Sequence, residues 1–166
     1  LSPDIVACGK GLGNGYPVSA VAMKEGLGQR LRSGGFYYAQ SHQNDPLGAA
    51  VVRAVIQQME SEDLIQAAAD KGAYLLQGLR RMQADIPYIE QVRGRGLMVA
   101  VAFREGAYLE TIHRQLLAKG YLVGVNLARR VLRLYPPLVI AQAALQGLLP
   151  ALAEACKIEQ SPHINE

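Results

Sequence analysis

Cysteine is scarce in this sequence, which contains only Cys8 and Cys156, nearly the whole chain apart. Neither has the spacing of a redox motif, and no set of His, Cys, Asp and Glu residues has the spacing of metal ligands. We therefore expect no metal site. Isolated cysteines are typical of a reducing compartment, so a cytoplasmic location is expected.

Strong charge and long apolar runs are also missing. The chain has 17 basic and 14 acidic residues, a net charge of +3 that is too small and too evenly spread to indicate nucleic-acid binding. No stretch approaches the length of a membrane span. Half of the 166 residues are hydrophobic, enough for one globular domain or two small ones. We therefore expect neither nucleic acid nor membrane as a partner.

A glycine-rich stretch stands out near the start of the chain. The apolar run Ile5–Cys8 predicts a short buried strand, and Val18–Met23 predicts a returning strand. Between them Lys10 is flanked by glycines, which permit unusual backbone dihedrals and close approach of a planar ligand. A poorly solvated amine there would be a nucleophile toward carbonyls. A solvated loop lysine is the alternative, and a nucleotide P-loop is excluded because no Ser or Thr follows Lys10.

The wider string carries a more specific signal. Its parts are Pro3-Asp4-Ile5-Val6, then Gly9-Lys10-Gly11-Leu12-Gly13, then Tyr16-Pro17-Val18-Ser19-Ala20-Val21. Together they closely resemble the Schiff-base lysine segment of class III aminotransferases, α/β enzymes of fold type I that depend on pyridoxal 5'-phosphate (PLP). The resemblance implies that Lys10 forms the internal aldimine with this cofactor and, once freed, acts as the general base.

A second segment, Gln40-Ser41-His42-Gln43-Asn44-Asp45-Pro46-Leu47, falls where the family has His-Thr-(aromatic)-x-x-(His/Asn)-Pro. The resemblance implies that Ser41 takes the place of the Thr that binds the cofactor phosphate of the partner subunit, and hence a homodimer. A serine keeps the donor and acceptor this requires. Gln40, His42 and Asp45 depart from the family pattern. The alternative is that these side chains only satisfy backbone groups of a loop.

A third candidate is Arg133, in an apolar run that ends at Pro136-Pro137. In a strand, Arg133 and Tyr135 face one way, and Leu132 and Leu134 the other. A guanidinium in such surroundings suits an anionic partner and binds a carboxylate with two hydrogen bonds. The segment also resembles the family's Arg-(apolar)-x-Pro-(Pro/Ser)-Leu, which implies a substrate carboxylate. An edge-strand arginine in water is the alternative.

Periodicity and capping residues predict the remaining elements and a domain boundary near Ser61. Asp45-Pro46 and Ser61-Glu62-Asp63 each predict a capped helix start. The second helix is expected to run about twenty residues, with an apolar stripe of Ile65, Ala68, Gly72, Leu75, Leu79 and Met82. Val92–Phe103 predicts a turn followed by a strand. The resemblance then divides the chain into residues 1–61, the end of a large PLP-binding domain, and 62–166, a small C-terminal α/β domain. The other predictions are helices at 24–32, 108–118 and 141–158, short strands at 36–39, 121–125 and 131–135, and a polar tail at 160–166.

The function implied is transfer of an amino group from an amino acid or ω-amino acid to a 2-oxo acid. Family substrates resemble 4-aminobutyrate, ornithine or acetylornithine, with 2-oxoglutarate or pyruvate as acceptor. The chain starts at Leu1 rather than Met, and the resemblance begins two residues later, in the middle of the family's fold, so we expect the C-terminal part of a longer enzyme, inactive alone. Two alternatives stay open: a class III relative acting as racemase, aminomutase or decarboxylase, and a non-catalytic fragment.

Overall fold

The computed structural model describes residues 2–105 and 107–158 of the chain. The chain splits into two compact units, Leu1–Glu62 and Asp63–Glu166. The predicted polar tail at 160–166 lies outside the described residues. Among those that are described, no helix is both long and apolar enough to cross a membrane. The helices are α1 Glu25–Ser33, α2 Pro46–Ser61, α3 Leu64–Asp85, α4 Leu109–Ala118 and α5 Gln142–Ile158, and the strands are β1 Ile5–Cys8, β2 Ala20–Met23, β3 Ile89–Arg95, β4 Met98–Phe103, β5 Gly124–Asn126 and β6 Val131–Leu134.

The first unit is built around a two-stranded sheet with very little buried surface. Strands β1 and β2 pair antiparallel from Ile5 opposite Met23 to Cys8 opposite Ala20, so the predicted returning strand is confirmed. The prediction that β1 is buried is wrong for this chain, because all four of its residues are exposed. Of the residues described in this unit, only Gly13, Gly28 and Gly48 are buried. The apolar strands therefore have no core of their own to enter.

The second unit is an antiparallel sheet with helices on one side. The sheet order is β3-β4-β6-β5. Alternate residues such as Val99, Val101 and Leu132 are buried in one core with the apolar stripes of α3, α4 and α5. Helix α3 buries Leu75 and Leu79 at the predicted helical spacing. Its stripe begins at Leu64 and not at the predicted Ile65, which is exposed. This unit is a small α/β layer with a complete hydrophobic core.

Several element boundaries differ from the prediction. Helix α2 runs through Ser61, and α3 starts after Asp63, whose φ of +47° breaks the helix without any side-chain cap. Short Asp side chains tolerate this left-handed conformation, so a backbone break replaces the predicted cap. The predicted turn before β4 is mostly strand β3, and the chain reverses only at Gly96 and Leu97. The predicted strand at 36–39 is absent, and the one at 121–125 lies at Gly124–Asn126.

Candidate functional site

Lys10 lies immediately after β1, at the start of a short 3₁₀ helix, Lys10–Leu12. Its φ is +51°, a left-handed conformation that side-chain-bearing residues seldom adopt. Asn and Asp reach it more easily because their short polar side chains bond locally, whereas lysine has no such compensation. Such conformations are concentrated at functional sites. Lys10 is exposed, so the prediction that its amine is poorly solvated is wrong for the described chain.

The glycines around Lys10 have two different roles. Gly13 is required by packing, because a Cβ there would lie 2.2 Å from the Tyr16 carbonyl oxygen and 2.6 Å from Val18 Cγ1. The Gly13 N–H in turn closes the 3₁₀ turn by donating to the Lys10 carbonyl at 3.1 Å. By contrast, a Cβ on Gly11 would meet nothing within 4 Å. The loop is therefore closely packed on the Gly13 side and open beside Lys10.

Ser41 begins a tight turn that leads into α2. Within this turn Gln43 N–H donates to the Gln40 carbonyl at 3.0 Å, and Asn44 adopts a φ of +60°. Asp45 then caps the helix, because its Oδ1 accepts a hydrogen bond from Leu47 N–H at 3.0 Å. The capping prediction at Asp45 and Pro46 is thus confirmed. Ser41 itself is exposed.

Two contacts join the Lys10 loop to the helix that follows Ser41. The Tyr16 hydroxyl donates to Asp45 Oδ2 at 3.4 Å. Beside this bond, Gly48 of α2 lies against the loop, since a Cβ there would be 3.4 Å from Val18 Cγ2 and 3.7 Å from Tyr16 Cε1. The structure therefore brings the Lys10 and Ser41 segments together through Tyr16 and Asp45. No local sequence pattern indicates this pair, whose members are 29 positions apart.

The environment of Tyr16 alters its acidity. Partial burial raises the pKa of the phenol above its ordinary value, and the negative charge and hydrogen bond of Asp45 raise it further. Tyr16 therefore keeps its proton as the donor to Asp45 over a wider pH range than a free phenol would.

Arg133 belongs to the second unit and lies in β6. The predicted alternation is confirmed, because Leu132 and Leu134 are buried while Arg133 and Tyr135 are exposed. In the antiparallel sheet Arg133 stands between Ala100 of β4 and Gly124 of β5. Its guanidinium carbon lies 5.9 Å from the centre of the Tyr135 ring. Lys10 and Ser41 thus share the first unit, and Arg133 is on the sheet of the second.

The residues present fit the cofactor that the sequence resemblance implies. Lys10 carries a primary amine, the group that condenses with an aldehyde, and the space beside it at Gly11 is open. Ser41 carries a hydroxyl that can both donate to and accept from a phosphate.

Comparison with known proteins gives a consistent result. Residues 1–156 match the family model described as Aminotransferase class-III. The chain is 36% identical over 155 residues to acetylornithine aminotransferase of Bacillus subtilis, and 32% identical over 164 residues to a leucine/methionine racemase of Thermococcus litoralis. It is also similar to a solved structure of Toxoplasma gondii ornithine aminotransferase, whose active site holds PLP at partial occupancy, with 29% identity and a TM-score of 0.84.

The matches cover nearly all of this chain and a smaller share of each relative. They include 93% of the chain and 39% of the Bacillus subtilis protein, and 93% of the chain and 36% of the Thermococcus litoralis protein. For the Toxoplasma gondii structure the shares are 96% and 38%. The chain therefore spans less than two fifths of the length of these relatives.

Proposed function

Because this chain belongs to the class III aminotransferases, we propose that it is the C-terminal part of a longer enzyme that transfers an amino group to a 2-oxo acid. In this proposal the first unit is the end of a large cofactor-binding domain, and the second is the small C-terminal domain. The family depends on PLP. The observation that carries the proposal is Lys10, left-handed and flanked by glycines at the end of a paired strand, in a segment within the family match.

The residues of this chain would divide the work by their chemistry. Bound PLP supplies a carbonyl for the substrate amine and an electron sink for the adjacent carbon. Lys10 would hold the cofactor through Nζ and, when neutral, accept the proton released from the substrate carbon and donate it back later. The Ser41 hydroxyl would bind the phosphate of the cofactor in a partner subunit, so the active enzyme would be a homodimer.

Arg133 would bind and orient the substrate. Its guanidinium can grip a carboxylate with two parallel charge-assisted hydrogen bonds. Among the described residues no carboxylate forms an ion pair with Arg133, so its N–H groups are open to a ligand. We therefore propose amino donors that carry a carboxylate, such as 4-aminobutyrate, ornithine or acetylornithine, with 2-oxoglutarate or pyruvate as acceptor. A cytoplasmic location accompanies this proposal.

One alternative has an observation in its favour. The similarity to the Thermococcus litoralis leucine/methionine racemase suggests that the same lysine could serve racemisation. Aminomutase or decarboxylase chemistry belongs with it, because all of these begin at the same carbon and none requires an amino acceptor. Omitting the 2-oxo acid would separate the classes: transamination stops, whereas the other reactions continue. The second alternative, a chain with no catalytic role, would leave the full-length polypeptide inactive in both assays.

Substitution of Lys10 tests the proposal. In the full-length polypeptide we expect Lys10→Ala to lower kcat for amino-group transfer by about 10²–10⁴-fold or more, because the proton carrier is lost. Lys10→Arg should be equally inactive, since it keeps the charge but lacks a nucleophilic amine. The measurement is steady-state turnover with the three amino donors and two acceptors named above.

Lys24→Ala is the matched control. Lys24 is an exposed lysine of the same unit and pairs with Asp4 at 3.0 Å, so its loss should leave turnover near the wild-type value. Borohydride reduction followed by peptide mapping should place the trapped cofactor on Lys10 and leave Lys24 unlabelled. Undiminished turnover in both Lys10 variants would refute the assignment.

A further inference from the structure

The side chain of Arg133 has no polar side chain beside it on the neighbouring strands. Its cross-strand neighbours are Ala100, which ends in a methyl group, and Gly124, which has no side chain. The Arg133 side chain leans over β5, because a Cβ on Gly124 would lie 3.4 Å from its Nε and 3.6 Å from its Nη2. A long, exposed side chain in such a place has several rotamers, and ordering it costs free energy on ligand binding.

Tyr135 is the contact that restricts this freedom. Its ring centre lies 5.9 Å from the Arg133 guanidinium carbon, within the range of a cation–π interaction. Tyr135 lies immediately after β6 and two residues after Arg133, and both side chains are exposed. Attraction to the ring does not use the N–H groups of the guanidinium, which remain available to a carboxylate. An ion pair with a protein carboxylate would instead compete for them.

The backbone around Tyr135 is stiffened by the sequence. Pro136 and Pro137 follow directly, and a residue before proline is confined to extended conformations. The next turn is anchored, since Ile140 N–H donates to the Pro137 carbonyl at 2.9 Å and Lys71 Nζ reaches the Leu138 carbonyl at 3.4 Å. These restraints limit the backbone conformations of Tyr135 and therefore the positions that its ring can occupy.

We propose that Tyr135 is a positioning residue that preorganises Arg133 for a substrate carboxylate and so determines the preference for carboxylate-bearing ligands. The inference rests on the proposed substrate role of Arg133 and adds the residue through which it acts. Tyr135 does so by its ring, and its hydroxyl is not required.

Inhibition by an unreactive carboxylate tests this in the full-length polypeptide. Pentanoate is the probe, and pentanamide is its uncharged counterpart of similar shape. Tyr135→Leu should raise the inhibition constant of pentanoate and the KM of a carboxylate-bearing donor by about three- to tenfold, while kcat stays within about twofold. Tyr135→Phe should restore wild-type values, and pentanamide should inhibit all variants alike.

Two further variants separate the possible failures. Met98→Ala removes a 68% exposed side chain from the same face of the sheet and should leave both constants unchanged. Arg133→Gln should raise the inhibition constant of pentanoate by more than Tyr135→Leu does. If only Arg133→Gln has an effect, or if Tyr135→Phe behaves like Tyr135→Leu, the inference is wrong and the carboxylate role of Arg133 stands. If Arg133→Gln has no effect, the positioning role of Tyr135 and the carboxylate role of Arg133 are both wrong. The proposed role of Lys10 does not depend on this result.

Discussion

Tyr16 illustrates how a single residue can connect two segments that carry candidate functional residues. Its hydroxyl donates to Asp45 Oδ2 at 3.4 Å, and the other oxygen of the same carboxylate caps α2. One carboxylate therefore fixes the glycine-rich loop that carries Lys10 and the helix that follows Ser41. The family pattern has His or Asn before this proline, so the acidic partner is a departure at this position. That Asp45 contacts both segments is visible only in the tertiary structure.

The pH dependence of this pair can be predicted from the direction of the pKa shift. The Tyr16 pKa is raised above 10.0, so the folded state retains a proton that the unfolded state releases first. The stabilising contribution is therefore complete below pH 10 and lost as the pH rises through the folded pKa. The difference in phenolate absorbance between wild type and Tyr16→Phe should have its midpoint above pH 10.

Asp45→Asn provides the control for this titration. It keeps a side chain that can accept the hydrogen bond but removes the negative charge, so the midpoint of Tyr16 should move down toward the ordinary value. A Tyr16 midpoint at or below pH 10 in the wild-type protein would contradict the assigned environment.

At the scale of elements, α3 and the β3–β4 hairpin are fitted to each other through glycines. A Cβ on Gly72 of α3 would lie 2.2 Å from the carbonyl oxygen of Gly96, in the hairpin turn. Gly96 itself has a φ of +53°, as tight two-residue hairpins require at this position. Helix and turn thus approach backbone to backbone. Neither glycine can be understood from the propensity of its own element.

Two alanine substitutions in α3 should separate packing from propensity. Both Gly72→Ala and Gly78→Ala gain about 1 kcal/mol of helix propensity. A Cβ on Gly72 meets backbone, so overpacking of about 1–3 kcal/mol should make Gly72→Ala destabilising. A Cβ on Gly78 meets only the flexible end of Leu149, at 2.4 Å from Cδ1, which can rotate away.

Amide hydrogen exchange of the buried α3 residues Leu75 and Leu79 is the measurement. Their protection should fall in Gly72→Ala and stay near wild type or rise in Gly78→Ala. Equal effects of the two substitutions would show that the contact with Gly96 does not limit this helix.

At the scale of the whole chain, the two units differ in how much they bury. Among the described residues, all buried hydrophobic side chains lie in the second unit, between Leu64 and Cys156. In the first unit Ile5, Val21 and Phe36 are each more than half exposed. Apolar burial is the main favourable term in folding, so the units should differ greatly in autonomous stability.

The units expressed separately should therefore behave differently. A polypeptide of residues 63–158 should unfold cooperatively on heating, with dispersed amide resonances in NMR spectra, because its core is complete. Residues 1–62 should remain largely unfolded under the same conditions. Cooperative unfolding of residues 1–62 alone would contradict the conclusion drawn from its exposed strands.

The sequence by itself determined the elements with strong local signals. The β1 and β2 strands, the cap at Asp45 and the stripe of α3 follow from alternation, capping chemistry and helical period. The candidate residues Lys10, Ser41 and Arg133 were predicted from sequence motifs, because each motif consists of contiguous residues. Their proposed roles remain predictions. Weak or ambiguous local signals were misassigned, as at residues 36–39 and in the first part of β3.

Only the tertiary structure decided which distant residues meet. The Tyr16–Asp45 bond, the approach of Gly72 to Gly96 and the neighbours of Arg133 across the sheet join positions far apart in sequence. Such contacts depend on register and on the packing of whole elements, which no local pattern specifies. The exposure of β1 was not predicted for the same reason. An apolar composition shows that a strand is suited to burial, but whether it is buried depends on which elements pack against it.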